Sequence, residues 1–276
     1  MNILEKSKIP FEILVATTNR TSMDFIYKML KNNVLEDFYV LIINQTNKDK
    51  LLVSEKANIR VINSFETGLS RSRNLAIKNA IGDICLLADD DVVYLEHFEK
   101  PILESYNKLP EADIITFKTR TTENKPYSNY PNQISSLERF YKKVLSIEIS
   151  FKRESILKNN LEFDELFGLG SHFQDGENRL FFEEVLKNKN IKAYFSPEFI
   201  VIHQPVSSSD NVASDRFIYA RSALNYKLYG LFSWLYVIKL IFSLVRKRLI
   251  TINQILTKIK VANQGMKAYK DLVHGK

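Results

Sequence analysis

The runs Phe11 to Ala16, Tyr39 to Ile43 and Ile84 to Ala88 are apolar nearly throughout rather than at every second residue. A strand with one wet face alternates; a strand apolar on both sides has to be covered on both. Helical stretches from about Met23 to Lys31 and from Gly68-Leu69-Ser70 to Ala80 separate these runs. Ile59 to Ile62 and Ile114 to Phe117 read as further strands. Strand alternating with helix predicts an α/β domain, a parallel sheet with helices on each face. Gly82 follows the second helix and suits a left-handed cap.

Beyond residue 120 the pattern changes. Lys125 to Pro131 is a polar, aromatic loop, Ile147 to Phe151 alternates as a half-exposed strand should, and Phe167-Gly168-Leu169-Gly170 is a flexible turn. A helix from Gly176 to about Lys187 and strands at Ala193 to Phe195 and Phe199 to Ile202 complete the pattern, without internal repeats. With 276 residues the chain accommodates a main domain over 1–205 and a helical extension over 206–276.

Asp89-Asp90-Asp91 closes the Ile84 to Ala88 strand. Three like charges have no packing reason to gather there, whereas a hard divalent cation on phosphate oxygens supplies one. Mg²⁺ takes only one or two protein carboxylates when phosphates complete its shell, and ligands of α/β sheets sit at the carboxyl ends of strands. On the helix that follows Gly68, Arg73 shares the stripe of Ala76, Ile77 and Ala80, while Arg71 faces solvent with Lys78. An arginine on the buried side of a first turn needs an anion: a bound phosphate or an aspartate of the protein. Glu177 opens the helix after Gly176 on the same face as Leu180 and Phe181. A carboxylate drawn out of water near other acids suits a general base, although first-turn glutamates also simply oppose the helix dipole. His203 ends a strand, where a satisfied polar residue is commoner than a metal ligand. No zinc-spaced His/Cys set, nucleophile elbow or Walker-type loop is present.

Composition narrows the partners. The net charge of +7 admits nucleic acid, an anionic membrane or phosphorylated substrates. The basic residues are spread, with enrichment after residue 226, which argues against a nucleic-acid binder. The lone Cys85 lies inside an apolar strand, so intrachain disulfides are excluded and a reducing cytoplasm is expected. Met1 to Pro10 carry no apolar core of signal-peptide length. From Leu228 to Val245 only Gly230, Ser233, Lys239 and Ser243 interrupt an apolar and aromatic run, and Arg246-Lys247-Arg248 follows. That reads as a surface-lying or re-entrant helix on anionic lipid ahead of a single span. Packing on the main domain or on a second subunit, as in a homo-oligomer, is the other reading.

In their order and spacing several segments resemble a family 2 glycosyltransferase of the GT-A fold, over about residues 11 to 205. They are Ile13 to Arg20, Gly68-Leu69-Ser70-Arg71-Ser72-Arg73-Asn74-Leu75-Ala76, Gly82-Asp83-Ile84 through Asp91, and Phe167 to Gly170 with Gly176-Glu177. The resemblance implies a Rossmann-like, mostly parallel sheet flanked by helices. It implies inverting, metal-dependent transfer of a sugar from a nucleotide-diphosphate donor, with uracil the commonest base, to a glycan or lipid-linked saccharide of surface polysaccharide. The family's Asp-x-Asp motif falls on Asp89 and Asp91. Asp91 would hold Mn²⁺ or Mg²⁺, with Asp89 toward the ribose or the metal's waters, Asp90 in the donor site and His203 a further candidate ligand. Thr17, Asn19, Arg20 and Asn44 would line the base pocket, and Arg73 would meet the diphosphate. Two positions depart from the family: Asn44 where relatives usually carry Asp, and Glu177-Asn178 where they carry two acids. Either Glu177, favoured by its inward face, or Asp175 then serves as base, or the protein is an impaired relative that binds a sugar nucleotide or a partner. The expected location is the cytoplasmic face of the membrane.

Overall fold

The computed structural model describes residues 10–205 and 211–275; apart from Pro10, the stretch read for an export signal lies outside them. The elements are β1 (Phe11–Thr18), α1 (Asp24–Met29), β2 (Tyr39–Gln45), β3 (Ile59–Ser64), α2 (Leu69–Asn79), β4 (Ile84–Asp89), β5 (Val93–Tyr94), α3 (Glu99–Lys108) and β6 (Ile114–Thr121). They continue with β7 (Ser135–Ser136), β8 (Ile149–Lys152), α4 (Arg153–Lys158), α5 (Glu177–Lys187), β9 (Ala193–His203), α6 (Asp215–Tyr229), α7 (Ser233–Arg246) and α8 (Ile255–His274). One sheet runs β3-β2-β1-β4-β8-β6-β9-β5, with β7 added beside β9. The first four of these strands are parallel; β8 lies antiparallel to both β4 and β6.

The apolar runs are explained by two cores, one on each face of the sheet. Ile13 and Val15 of β1 join Val40 and Ile42 beneath Phe25, Met29, Ile102 and Tyr106 of α1 and α3. Leu14, between them, points the other way, to Leu41, Leu87 and the α2 and α5 residues Ala76, Ile77, Phe181 and Phe182. Alternate side chains thus enter opposite cores, so the strand is apolar at both parities apart from the buried Glu12.

Three local expectations are corrected. Gly82 is not a left-handed cap: α2 ends at Ala80 in an extended conformation, and Gly82 is absent from the positive-φ residues. A Cβ at Gly82 would lie 2.6 Å from that of the buried Glu12 and 2.9 Å from its backbone nitrogen, so close approach demands the glycine. The Glu12 carboxylate accepts from the Ile81 and Gly82 N–H groups at 2.6 and 2.9 Å and pairs with Arg60 at 2.7 Å. β8 is not half exposed, because Ile149, Ser150 and Phe151 are all buried. Ser150, its polar member, donates to the Ile115 carbonyl at 3.0 Å and meets the Tyr106 hydroxyl at 3.1 Å, which removes any need for water. The two predicted terminal strands are one, β9, whose pairing with β6 slips near Lys118, opposite the stretch that contains Pro197.

The C-terminal helices form their own small core of Ile218, Val237, Ile241, Leu244, Ala262 and Met266. A second cluster ties α6 to the sheet domain: Ala220, Ala223 and Leu224 pack with Phe167, Phe173 and Leu180. By length and composition the stretch Asp215–Arg246 is apolar enough to cross a membrane. Gly230, at φ 55, separates α6 from α7 within it.

Candidate active site

The carboxyl ends of β1, β2 and β4 and the N-termini of α2 and α5 meet around a cleft of about 870 Å³. This is where an α/β sheet presents ligands. Each aspartate of the triplet has a different task. Asp89 accepts from Arg73 Nη2 at 3.2 Å and from the Ser146 hydroxyl at 3.2 Å. Asp90 accepts from Arg20 Nε at 2.7 Å and from the Thr17 hydroxyl, which fastens the loop after β1 to the end of β4. Asp91 is the exposed member, its Oδ1 3.7 Å from His203 Nε2.

Arg73 is buried, as its place on the α2 stripe predicts. Its Nη1 reaches Glu177 Oε1 and Asn178 Oδ1, each at 3.3 Å, while Nη2 holds Asp89. Of the two anions foreseen, the protein's own carboxylates are the observed partners. Asn178 accepts from Arg73 as a carboxylate would, without carrying a charge. Gly176, left-handed at φ 96, turns the chain into α5, and a Cβ there would press on Leu224 of α6 at 3.1 Å. Asp175, just before it, pairs with Arg221 of α6 at 2.7 Å. Burial raises the Asp175 carboxyl above the ordinary range; Arg221 opposes the rise and neighbouring Glu177 adds to it.

Thr17 lines the cleft, but Asn19 and Arg20 lie outside its wall. Asn44 is fully buried, with its amide committed to the loop: Oδ1 accepts from the Arg20 N–H, and Nδ2 donates to the Arg20 carbonyl, both at 3.0 Å. It shapes the loop rather than presenting itself as a base-pocket wall, and Asp in its place would lack the donor. Gln45, which the sequence did not single out, does line the cleft; its amide clasps Gly68 N at 2.8 Å and the Gly68 carbonyl at 3.1 Å. The Gly168 turn is pinned, not free, by Leu69 N–H to the Leu169 carbonyl at 2.8 Å and Ser70 hydroxyl to the Phe167 carbonyl at 2.6 Å. Sequence reasoning also missed Ser146 and Arg221, whose roles depend on partners at distant chain positions and leave no local signal.

The metal trio of Asp89, Asp91 and His203 does not assemble as a cage. Among the described residues no group of three or more His, Cys, Asp or Glu is placed to hold a metal, and Asp89 is turned to Arg73 and Ser146. Asp91 and His203 nevertheless fit a cation whose remaining ligands are phosphate oxygens. His203 Nδ1 sits 2.8 Å from the Gln204 carbonyl, so Nδ1 carries a proton, and Nε2 is directed at Asp91. That backbone anchor is the usual support of a metal-binding histidine. Hydrogen bonding to His203 holds the Asp91 carboxyl below its ordinary value, and Asp91 correspondingly raises the imidazole.

The sequence model described as Glycosyl transferase family 2 matches residues 12–188. The chain is a family 2 glycosyltransferase. Solved structures show the same fold. S. aureus TarS 1-349 in complex with UDP-GlcNAc is 16% identical, with a TM-score of 0.56 over 79% of this chain and 66% of that one. TarS 1-349 in complex with UDP is 14% identical, with a TM-score of 0.53 over 97% and 92%. A longer S. aureus TarS structure, 16% identical with a TM-score of 0.54, is covered over 55% of its length. No curated protein sequence matches the chain. The glycosyltransferase thus has the α/β, GT-A architecture with a C-terminal helical region, and Arg221 brings that region into the cleft wall.

Proposed function

We propose that this glycosyltransferase moves a sugar from a UDP-sugar to a hydroxyl of a saccharide acceptor in cell-surface polysaccharide synthesis, with inversion, at the cytoplasmic face of the membrane. One observation carries the reading: a single cleft at the carboxyl end of the sheet gathers the aspartate triplet, Arg73 and the two carboxylates at the start of α5. The UDP-GlcNAc and UDP held by the TarS structures support the choice of donor, and the buried free Cys85 supports a reducing compartment.

Asp91 and His203 would hold Mn²⁺ or Mg²⁺, which when bound supplies positive charge to a departing diphosphate. The protein's own residues do the rest. Arg73 keeps Asp89, Glu177 and Asn178 in one frame, and the Asn44 clamp on Arg20 with the Asp90 contacts fixes the loop after β1. The acceptor oxygen attacks the anomeric carbon as the bond to the diphosphate breaks, and its proton passes to a carboxylate. We assign that base to Asp175, whose proton affinity burial raises and which lines the cleft beside Glu177, with Glu177 orienting Arg73.

The test is hydrolysis of UDP-sugars with manganese by wild type, Asp175→Asn and Glu177→Gln. Loss of a positioned base costs about 10²–10⁴ in kcat, expected for Asp175→Asn with donor affinity retained and a smaller loss in Glu177→Gln. The reverse order would move the base to Glu177. Absence of any UDP-sugar binding by wild type would overturn the donor assignment itself.

A further inference from the structure

Eleven of the 39 basic residues, and none of the 32 acidic ones, fall between Arg216 and Lys270. The chain outside that segment therefore carries 28 basic against 32 acidic residues, and the whole positive excess of the protein belongs to the C-terminal helices. The same helices expose many large apolar side chains. On α7 and the turn before it, Leu231, Leu235, Ile238 and Phe242 follow one another at four, three and four residues, which places them on one helix face. Leu231 is 82% exposed and Phe242 67%, while Val237, Ile241 and Leu244 on the opposite side are buried against α6 and α8. Phe232, Leu249, Ile252 and Leu256, in the turns next to α7 and at the start of α8, are exposed as well, the last at 80%. Lys239 and Arg246 flank the apolar face, and Lys247 and Arg248 follow at its end.

A soluble surface does not leave so many large apolar side chains together without an occupant. Two occupants suit an apolar helix face: a bilayer, or a second copy of the chain. The charge separates them. A symmetric pairing sets the same patch against itself, which would bring Lys239 and Arg246 to Arg248 of two copies together with no acidic residue in α7 or its flanking turns to offset them. Anionic lipid headgroups neutralise that charge while the acyl region takes the apolar face.

We infer that α7 and the turns at its two ends form a docking surface for an anionic membrane, with Leu231, Leu235, Ile238 and Phe242 entering the headgroup and acyl boundary and Lys239 with Arg246 to Arg248 at the phosphates. The surface is joined to the cleft. Tyr236 of α7 stacks on Tyr229 at 4.3 Å, and the Tyr229 hydroxyl accepts from Arg179 Nη2 at 2.7 Å. Arg179 lines the cleft on α5, so docking brings the transfer site to the lipid surface, where a lipid-linked saccharide is within reach. This last step rests on the proposed sugar transfer; the docking itself does not.

The experiment is flotation of the full chain with vesicles of phosphatidylcholine alone or mixed with phosphatidylglycerol, at low and high salt. Wild type is expected on the anionic vesicles only, with binding weakened by salt. Replacing Arg246, Lys247 and Arg248 by Gln removes about 1 kcal/mol of attraction per residue, a loss of roughly 100-fold in vesicle affinity. Leu235→Ser with Phe242→Ser changes exposed positions only and is expected to abolish binding while leaving the melting temperature in place. Donor hydrolysis measured on the same samples keeps a failure of docking distinct from a failure of the transferase reading. Wild type that ignores anionic vesicles, or that sediments as a dimer lost in the Leu235/Phe242 variant, would overturn the inference; so would variants that float as wild type does.

Discussion

Glu148 is a fully buried carboxylate whose ionisation should be visible in stability. Its Oε1 accepts from the Thr119 hydroxyl at 2.8 Å and the Tyr130 hydroxyl at 2.5 Å, and its Oε2 from the Leu145 N–H at 2.9 Å. Burial outweighs these bonds and lifts its pKa from 4.5 to about 7. The folded protein therefore binds the proton more tightly than the unfolded chain. The resulting stabilisation is complete below pH 4.5, is lost as pH rises toward about 7, and does not change further above it. At about 1.4 kcal/mol per pH unit, the difference amounts to about 3 kcal/mol. Glu148→Gln cannot ionise and should lack this slope, while paying a constant penalty of about 1–3 kcal/mol because its amide group would face the Leu145 N–H. Urea unfolding of both proteins from about pH 4.5 to about pH 8 measures the difference. Wild type should lose about 3 kcal/mol relative to the variant up to pH 7 and run parallel to it beyond. A pH-independent difference would refute the buried-acid argument. The outcome bears on the cleft, because Glu148 holds Leu145 and the adjacent Ser146 hydroxyl holds Asp89.

Two further outcomes follow from particular contacts. Asp91→Ala should weaken manganese-dependent UDP binding at least about tenfold, roughly the 1.4 kcal/mol of one charged contact; a calorimetric titration identical to wild type would count against the metal role. Gly265→Ala would place a Cβ 2.2 Å from the Tyr219 carbonyl oxygen, forcing α8 away from α6. A stability loss of about 1–3 kcal/mol is expected by denaturant titration, and because α6 carries Arg221, sugar transfer should fall with it; wild-type stability would show that the two helices part freely.

Residue patterning alone points to the parallel half of the sheet, because only strands buried on both faces are apolar at both parities, as Leu14 and Ile13 are. It also determined that Arg73 faces inward and that three aspartates end β4, since helical and strand periodicity are local properties of the chain. Tertiary structure decided what those groups touch. Ile147 to Phe151 carried the alternation of a half-exposed strand, yet β8 lies inside the sheet, where Ser150 and Glu148 find internal partners. Arg73 could have met a phosphate or a carboxylate, and the meeting of α2, β4 and α5 supplied Asp89 and Glu177. Asn44 and Arg221 act through residues far along the chain, and no pattern of nearby residues encodes such contacts. Periodicity reports which way a side chain points; only the packing of distant segments reports what waits there.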